Sequence, residues 1–184
     1  MAFFPQLDQN ILLWTQNNLR TPLLNAFFLL FTAFGNNGLL WIACSGVMLF
    51  FKRWRQVGGA ALIAVLLTFV SGEIILKSLV ARPRPFWEID ALVSLLPMQG
   101  GFSFPSGHTA SAFAAASVYF RGAPNRWAKV LFLFLAALMG FSRLYVGVHY
   151  LSDVMAGAVL GFAWGLLVWQ TYLAIQKRQG KGLL

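Results

Sequence analysis

The chain holds two histidines, His108 and His149, and both stand beside residues suited to a phosphoryl group. His149 precedes Asp153 by four positions, so on a helical turn the carboxylate meets one ring nitrogen and leaves the other free to attack phosphorus. His108 has no carboxylate at helical spacing and suits protonation of a leaving oxygen. Lys77, Arg84 and Arg143 offer cations to phosphoryl oxygens, and an arginine fork binds two oxygens at once. The segment FPSGH adds a helix start at Pro105 and Ser106, where Gly107 lets the backbone approach an anion and free N–H groups point at it. Taken alone, PSGH reads as an ordinary N-cap.

Metal catalysis needs several ligands, and the acidic residues are only Asp8, Glu73, Glu88, Asp90 and Asp153. Asp153 alone stands among the histidines, and three cations repel a divalent ion, so the expectation is chemistry with no metal and no cofactor. Glu73 precedes Lys77 by four residues, which favours an intrahelical ion pair; snorkelling or a water-filled cavity is the alternative. Arg82 either guides the substrate headgroup or is a solvated charge.

The elements that must position these groups are membrane helices. The chain is 59% hydrophobic and 10% charged, with 18 Phe and 7 Trp among 184 residues, too apolar for a soluble domain of this size. Residues 1–184 read as a single all-α domain, an integral membrane helical bundle. About six transmembrane helices are expected, near 21–36, 37–51, 56–78, 105–121, 127–147 and 151–175. The GNNG at Gly35 to Gly38 marks a tight turn between the first two, with one long tilted span over 21–51 as the competing reading. Residues 5–19 suit a helix lying at the interface, against a frayed terminus. The first residues lack the basic lead-in and cleavage site of a removable signal peptide.

A net charge of +9 raises nucleic acid as a partner, but the basic residues flank apolar spans instead of forming one surface. Arg20, the Lys52/Arg53/Arg55 group, Arg121/Arg126/Lys129 and Lys177/Arg178/Lys181 follow the positive-inside pattern. The expectation is a multi-pass protein of the inner (plasma) membrane, both termini cytoplasmic, with the ionisable cluster at the extracytoplasmic edge. Its partners are the bilayer and a lipid, with no nucleic acid. Gly157, Gly161 and Gly165, and the Ala/Ser run from Ala110 to Ser117, read as packing seams. Phe86, Trp87, Phe102 and Phe104 suit an aromatic layer at the membrane surface. The single cysteine, Cys44, cannot form an intrachain disulfide.

These residues stand in three motifs that resemble those of the type 2 phosphatidic acid phosphatase superfamily: Lys77 to Arg84-Pro85 in KSLVARPRP, Pro105 to His108, and Ser142-Arg143 with His149 and Asp153. The resemblance implies a metal-independent phosphatase in which His149 is transiently phosphorylated, Asp153 orients it and His108 donates the proton. It also implies that Lys77, Arg84, Ser106, Gly107 and Arg143 hold the phosphate. Small bacterial members of this shape resemble undecaprenyl diphosphate phosphatases, so the expected substrate is a lipid phosphate or diphosphate, undecaprenyl diphosphate first. Phosphatidylglycerophosphate and phosphatidate are rivals, because the motifs bind only the phosphoryl group. A lipid phosphotransferase using the same phosphohistidine is the alternative of another class. An anion channel is disfavoured, since the charges share one depth instead of lining a path.

Overall fold

A computed structural model describes residues 5–98 and 100–179; Lys181 of the last basic group lies outside them. All regular structure among the described residues is helical. α1 (Pro5–Leu19) is followed by α2 (Pro22–Phe34), which starts on a Thr21 hydroxyl accepting from Leu24 N at 3.3 Å, with proline in its first turn. A short 3-10 turn over Asn36–Gly38 leads to α3 (Leu39–Leu49). α4 (Arg55–Phe69) runs without a break through a π turn (Val70–Leu76) into α5 (Lys77–Val80). A long connection carrying the single-turn α6 (Pro85–Glu88) leads to α7 (Gly107–Gly122), α8 (Arg126–Tyr145) and α9 (Leu151–Arg178).

α7 is the centre of the bundle, packed by α4, α8 and α9. The two small-residue seams face each other across α7 and α9. A Cβ at Gly157 would lie 2.6 Å from the Ser106 carbonyl oxygen, and one at Gly161 would overlap the Ala110 carbonyl. Backbone therefore packs on backbone, as expected where lipid removes any hydrophobic drive between helices and close packing must hold them. Large apolar residues such as Leu23, Leu66, Leu79 and Val159 point outward from the bundle.

Among the described residues, three helical stretches are long and apolar enough to cross a bilayer: Arg55–Glu88, Arg126–Tyr145 and Leu151–Arg178. The pair Pro22–Phe34 and Asn36–Leu49 qualifies together, bent by 49°. Two antiparallel spans would reverse direction at GNNG, and this bend does not. The start of α2 sits by the end of α8, where Tyr145 Oη donates to Asn25 Oδ1 at 2.8 Å, while the end of α3 meets α4, where Arg55 Nε donates to the Leu49 carbonyl at 3.0 Å. Residues 21–51 thus form one bent helical pair, a broken span or a re-entrant element, instead of two antiparallel helices. α7, with 16 residues and an Ala/Ser-rich composition, runs through the middle of the bundle.

α1 and the end of α9 lie at opposite ends of the bundle. α1 packs at the end of the bundle where α8 stops and α9 starts: Arg20 donates to the Tyr145 carbonyl at 3.0 Å and to the Val93 carbonyl at 2.6 Å. Arg20 therefore lies apart from the other basic groups. Arg53 and Arg121 line one cavity with Tyr172 at the far end, toward which α9 runs.

Candidate active site

The link between α8 and α9 turns at Gly147, whose φ of 80° is open to glycine but strained for other residues. It delivers His149 to the buried interior. The His149 Nδ1 lies 3.5 Å from Asp153 Oδ2, at the long edge of a hydrogen bond, and has no closer partner among the described residues. Facing a carboxylate, Nδ1 is the nitrogen that carries the proton, which leaves the Nε2 lone pair free. Burial pushes the His149 imidazole down from 6.5 to about 4; Arg143 and Arg84 push the same way, against the pull of Asp153. The ring is therefore neutral at physiological pH. Asp153 is itself fully buried, and its Oδ2 accepts from the Tyr150 N–H at 2.9 Å, which caps α9.

The cations gather beside this dyad. Arg84 Nη1 donates to the carbonyl of Val148, next to His149, at 3.2 Å, while its buried Nε has no partner among the described residues. Arg143, on the last turn of α8, is buried and donates to Thr32 Oγ1 at 2.6 Å. Lys77 pairs with Glu73 at 2.6 Å, as the spacing predicts. The wide π turn sets the Glu73 carboxylate directly against Gly107, where a Cβ would collide with it. The start of α7, the expected anion cradle, thus lies among Glu73, Lys77, Arg84 and Arg143. Ser106 caps α7: its Oγ accepts from Thr109 N at 3.4 Å and bonds Thr109 Oγ1 at 2.9 Å. Its hydroxyl is thus committed within the helix start. The Ser106 N–H donates to the Asp153 carbonyl at 3.1 Å, joining the starts of α7 and α9.

His108 sits one residue further along α7, within electrostatic reach of Arg143, His149 and Lys77. Its Nε2 is 3.1 Å from Asn36 Oδ1, and the ring packs on Gly35 so closely that a Cβ there would clash with it. The break between α2 and α3 therefore holds both Arg143, through Thr32, and His108, through Asn36.

Residues 55–177 match the PAP2 superfamily. The chain belongs to that superfamily. An undecaprenyl-diphosphatase of Sulfolobus acidocaldarius is 32% identical over 83% of this chain and 70% of its own length. A lipid A 4'-phosphatase of Porphyromonas gingivalis is 29% identical over 97% of this chain and 78% of its own. Among solved structures, Aquifex aeolicus LpxE superposes with a TM-score of 0.78 at 30% identity, covering 92% of this chain and 96% of that one. The transmembrane PAP2-type phosphatidylglycerolphosphate phosphatase of Bacillus subtilis gives 0.77 at 26% identity, covering 95% and 89%.

Within this PAP2 chain, two features differ from the sequence expectations. Arg82 is neither solvated nor free to meet a headgroup: it is buried, with Nη1 donating to Asp153 Oδ1 at 2.6 Å and Nη2 to Asp8 Oδ2 at 2.8 Å. Asp8 is a third acidic residue at the site, beside Asp153 and Glu73, held through Arg82 and through the Ser152 N–H at 2.9 Å. Asp8, Asn36 and Thr32 were outside every motif. Their one sequence signal is a polar residue within or beside an apolar stretch, a costly placement that calls for a partner.

Proposed function

We propose that this PAP2 phosphatase hydrolyses a polyprenyl diphosphate, undecaprenyl diphosphate, to the monophosphate through a phosphohistidine on His149. Asp153 holds the proton on Nδ1, and Nε2 attacks the terminal phosphorus as the bond to the bridging oxygen breaks. His108 gives its proton to that oxygen and the lipid monophosphate departs. Water then loses a proton to His108 and attacks the phosphohistidine, releasing inorganic phosphate and restoring His149. Lys77, Arg84, Arg143 and the N–H groups at Gly107 stabilise the charge on the phosphoryl oxygens in both steps. No metal takes part in this scheme.

The observation that carries the proposal is the juxtaposition of a neutral, carboxylate-held imidazole with Arg84, whose Nη1 is bonded beside that imidazole and whose buried Nε lacks a partner among the described residues. An anionic oxygen in the pocket would satisfy that Nε. Withdrawing Arg82 leaves three cations there, enough for a diphosphate. The basic groups at the far end support a cytoplasmic far end and an extracytoplasmic site in the inner (plasma) membrane.

The test is a comparison of kcat/KM for purified protein in lipid nanodiscs. Undecaprenyl diphosphate should exceed lipid A and phosphatidylglycerol phosphate by about tenfold or more, about 1.4 kcal/mol of transition-state binding. Preference for either of the others by that margin moves the substrate assignment. Turnover that requires a second, acceptor lipid and yields the phosphorylated acceptor in place of free phosphate makes the protein a phosphotransferase.

A further inference from the structure

Asp8 lies on α1, outside the residues that match the PAP2 superfamily. Yet its carboxylate is among the most deeply buried groups of the chain. Oδ1 accepts from the Ser152 N–H at 2.9 Å, and Oδ2 accepts from the Ser152 hydroxyl at 2.5 Å and from Arg82 Nη2 at 2.8 Å. Arg82 Nη1 donates to the Ser152 hydroxyl and to Asp153 Oδ1, each at 2.6 Å. Arg82 is held by further contacts of its side chain and its backbone. The guanidinium face stacks on the Tyr150 ring at 3.7 Å, and the Arg82 carbonyl accepts from the Ser103 N–H at 2.8 Å. The chain reaches this position through Ala81, which ends α5 with a left-handed φ of 48°.

The charges of this cluster do not cancel. Two carboxylates share one guanidinium, so one negative charge remains, and Asp153 Oδ2, which also accepts from the Tyr150 N–H, faces His149. If Arg82 faced Asp153 alone, the pair would be neutral and the carboxylate would do little for a developing positive charge on the imidazole. With Asp8 drawing on the same guanidinium, Asp153 keeps charge for His149 while Arg82 fixes its orientation.

We propose that Asp8 and Arg82 are positioning residues, which hold Asp153 in place and leave a net negative charge behind His149, so that the N-terminal helix completes the active site. The inference rests on His149 being the nucleophile. A buried ion network also serves as a clamp between elements, so the test needs readouts that a clamp would not move.

Asp8→Asn keeps the shape and the acceptor oxygen while removing the charge. In full-length protein it should lower kcat by about 10–100-fold, the effect carried by outer partners of metal-bound histidines, with KM changed less than about twofold. Phosphorylation of His149 in a rapid quench should slow equally, and Asp8→Glu should restore part of the rate. In a His108→Ala background His149 is the sole histidine, so its 15N titration is assigned by construction; adding Asp8→Asn should move that titration to lower pH. Unchanged kcat and titration, with a lower melting temperature, would reduce Asp8 to a clamp and overturn the proposal. If Asp8→Asn does not fold, Ser152→Ala cuts the hydroxyl link while leaving both ion pairs; it should lower kcat with KM held, and an unchanged kcat counts against the proposal. The two layers separate cleanly: turnover surviving in His149→Ala sinks the nucleophile itself, whereas normal labelling of His149 in Asp8→Asn sinks only the role of Asp8.

Discussion

At the residue scale, the chemistry divides between two histidines with different surroundings. His149 has a buried carboxylate on one nitrogen; His108 has the side chain of Asn36, a neutral amide. That difference predicts how His108→Ala fails. On a lipid substrate, whose leaving oxygen needs a proton, the loss should be about 10²–10⁴-fold, and on an aryl phosphate, whose leaving group does not, far smaller. Equal losses would remove His108 from the acid role. His149 also makes stability depend on pH. Its folded value of about 4 lies below the ordinary 6.5, so the unfolded chain binds the proton first as pH falls. The neutral, buried ring costs nothing above 6.5, and stability declines through the window from 6.5 to about 4. His149→Gln should flatten that decline in unfolding midpoints measured against pH; an identical decline would assign it to other groups. The eight motif residues lie together at one end of the bundle, with Glu73 against Gly107 and Arg82 bonded behind Asp153. Asp8 was not legible: it is 145 positions from Asp153, and no spacing rule reports a contact at that separation. The burial of Arg82 was hidden for the same reason.

At the element scale, the sequence located the helices well because apolar length and small-residue periodicity report directly on membrane packing. What it did not convey was direction. GNNG was legible as a break, yet the angle across it depends on what packs against Gly35 and Gly38, namely His108, Met139 and Ser111. The π turn in VSGEIIL likewise has no signature in residue type, although it presents Glu73 to Gly107. The seam between α7 and α9 yields a contrast. Gly161→Ala places a methyl group into the Ala110 backbone, which cannot give way, and should cost about 1–3 kcal/mol or more. Gly46→Ala meets nothing within 4 Å and should stabilise by about 0.5–1 kcal/mol through helix propensity. Unfolding of the purified variants in detergent checks both; equal effects would show that the seam is not close-packed.

At the scale of the whole molecule, α1 and the start of α9 lie together at one end of the bundle, with the end of α9 at the other. The basic groups near 52–55 and 121–129 lie at the end of the bundle away from the site, whereas Arg20 lies at the site's end, its guanidinium satisfied by the Tyr145 and Val93 carbonyls. A charge so paired carries no topological weight. Single cysteines in a Cys44→Ser background provide the check. Gln9→Cys and Asp90→Cys should label with an impermeant maleimide on intact cells, and Arg126→Cys only after permeabilisation. Gln9→Cys protected together with Arg126→Cys would return the N-terminal helix to the far side and break the link between Asp8 and the site.

The central claim is that the phosphoryl group passes through His149. Brief incubation of the wild type with substrate labelled in the terminal phosphate, followed by alkaline quench and peptide mapping, should find acid-labile, base-stable phosphate on the peptide carrying His149, and none in His149→Ala. Label on a serine or an acidic residue, or turnover persisting in His149→Ala, would contradict it.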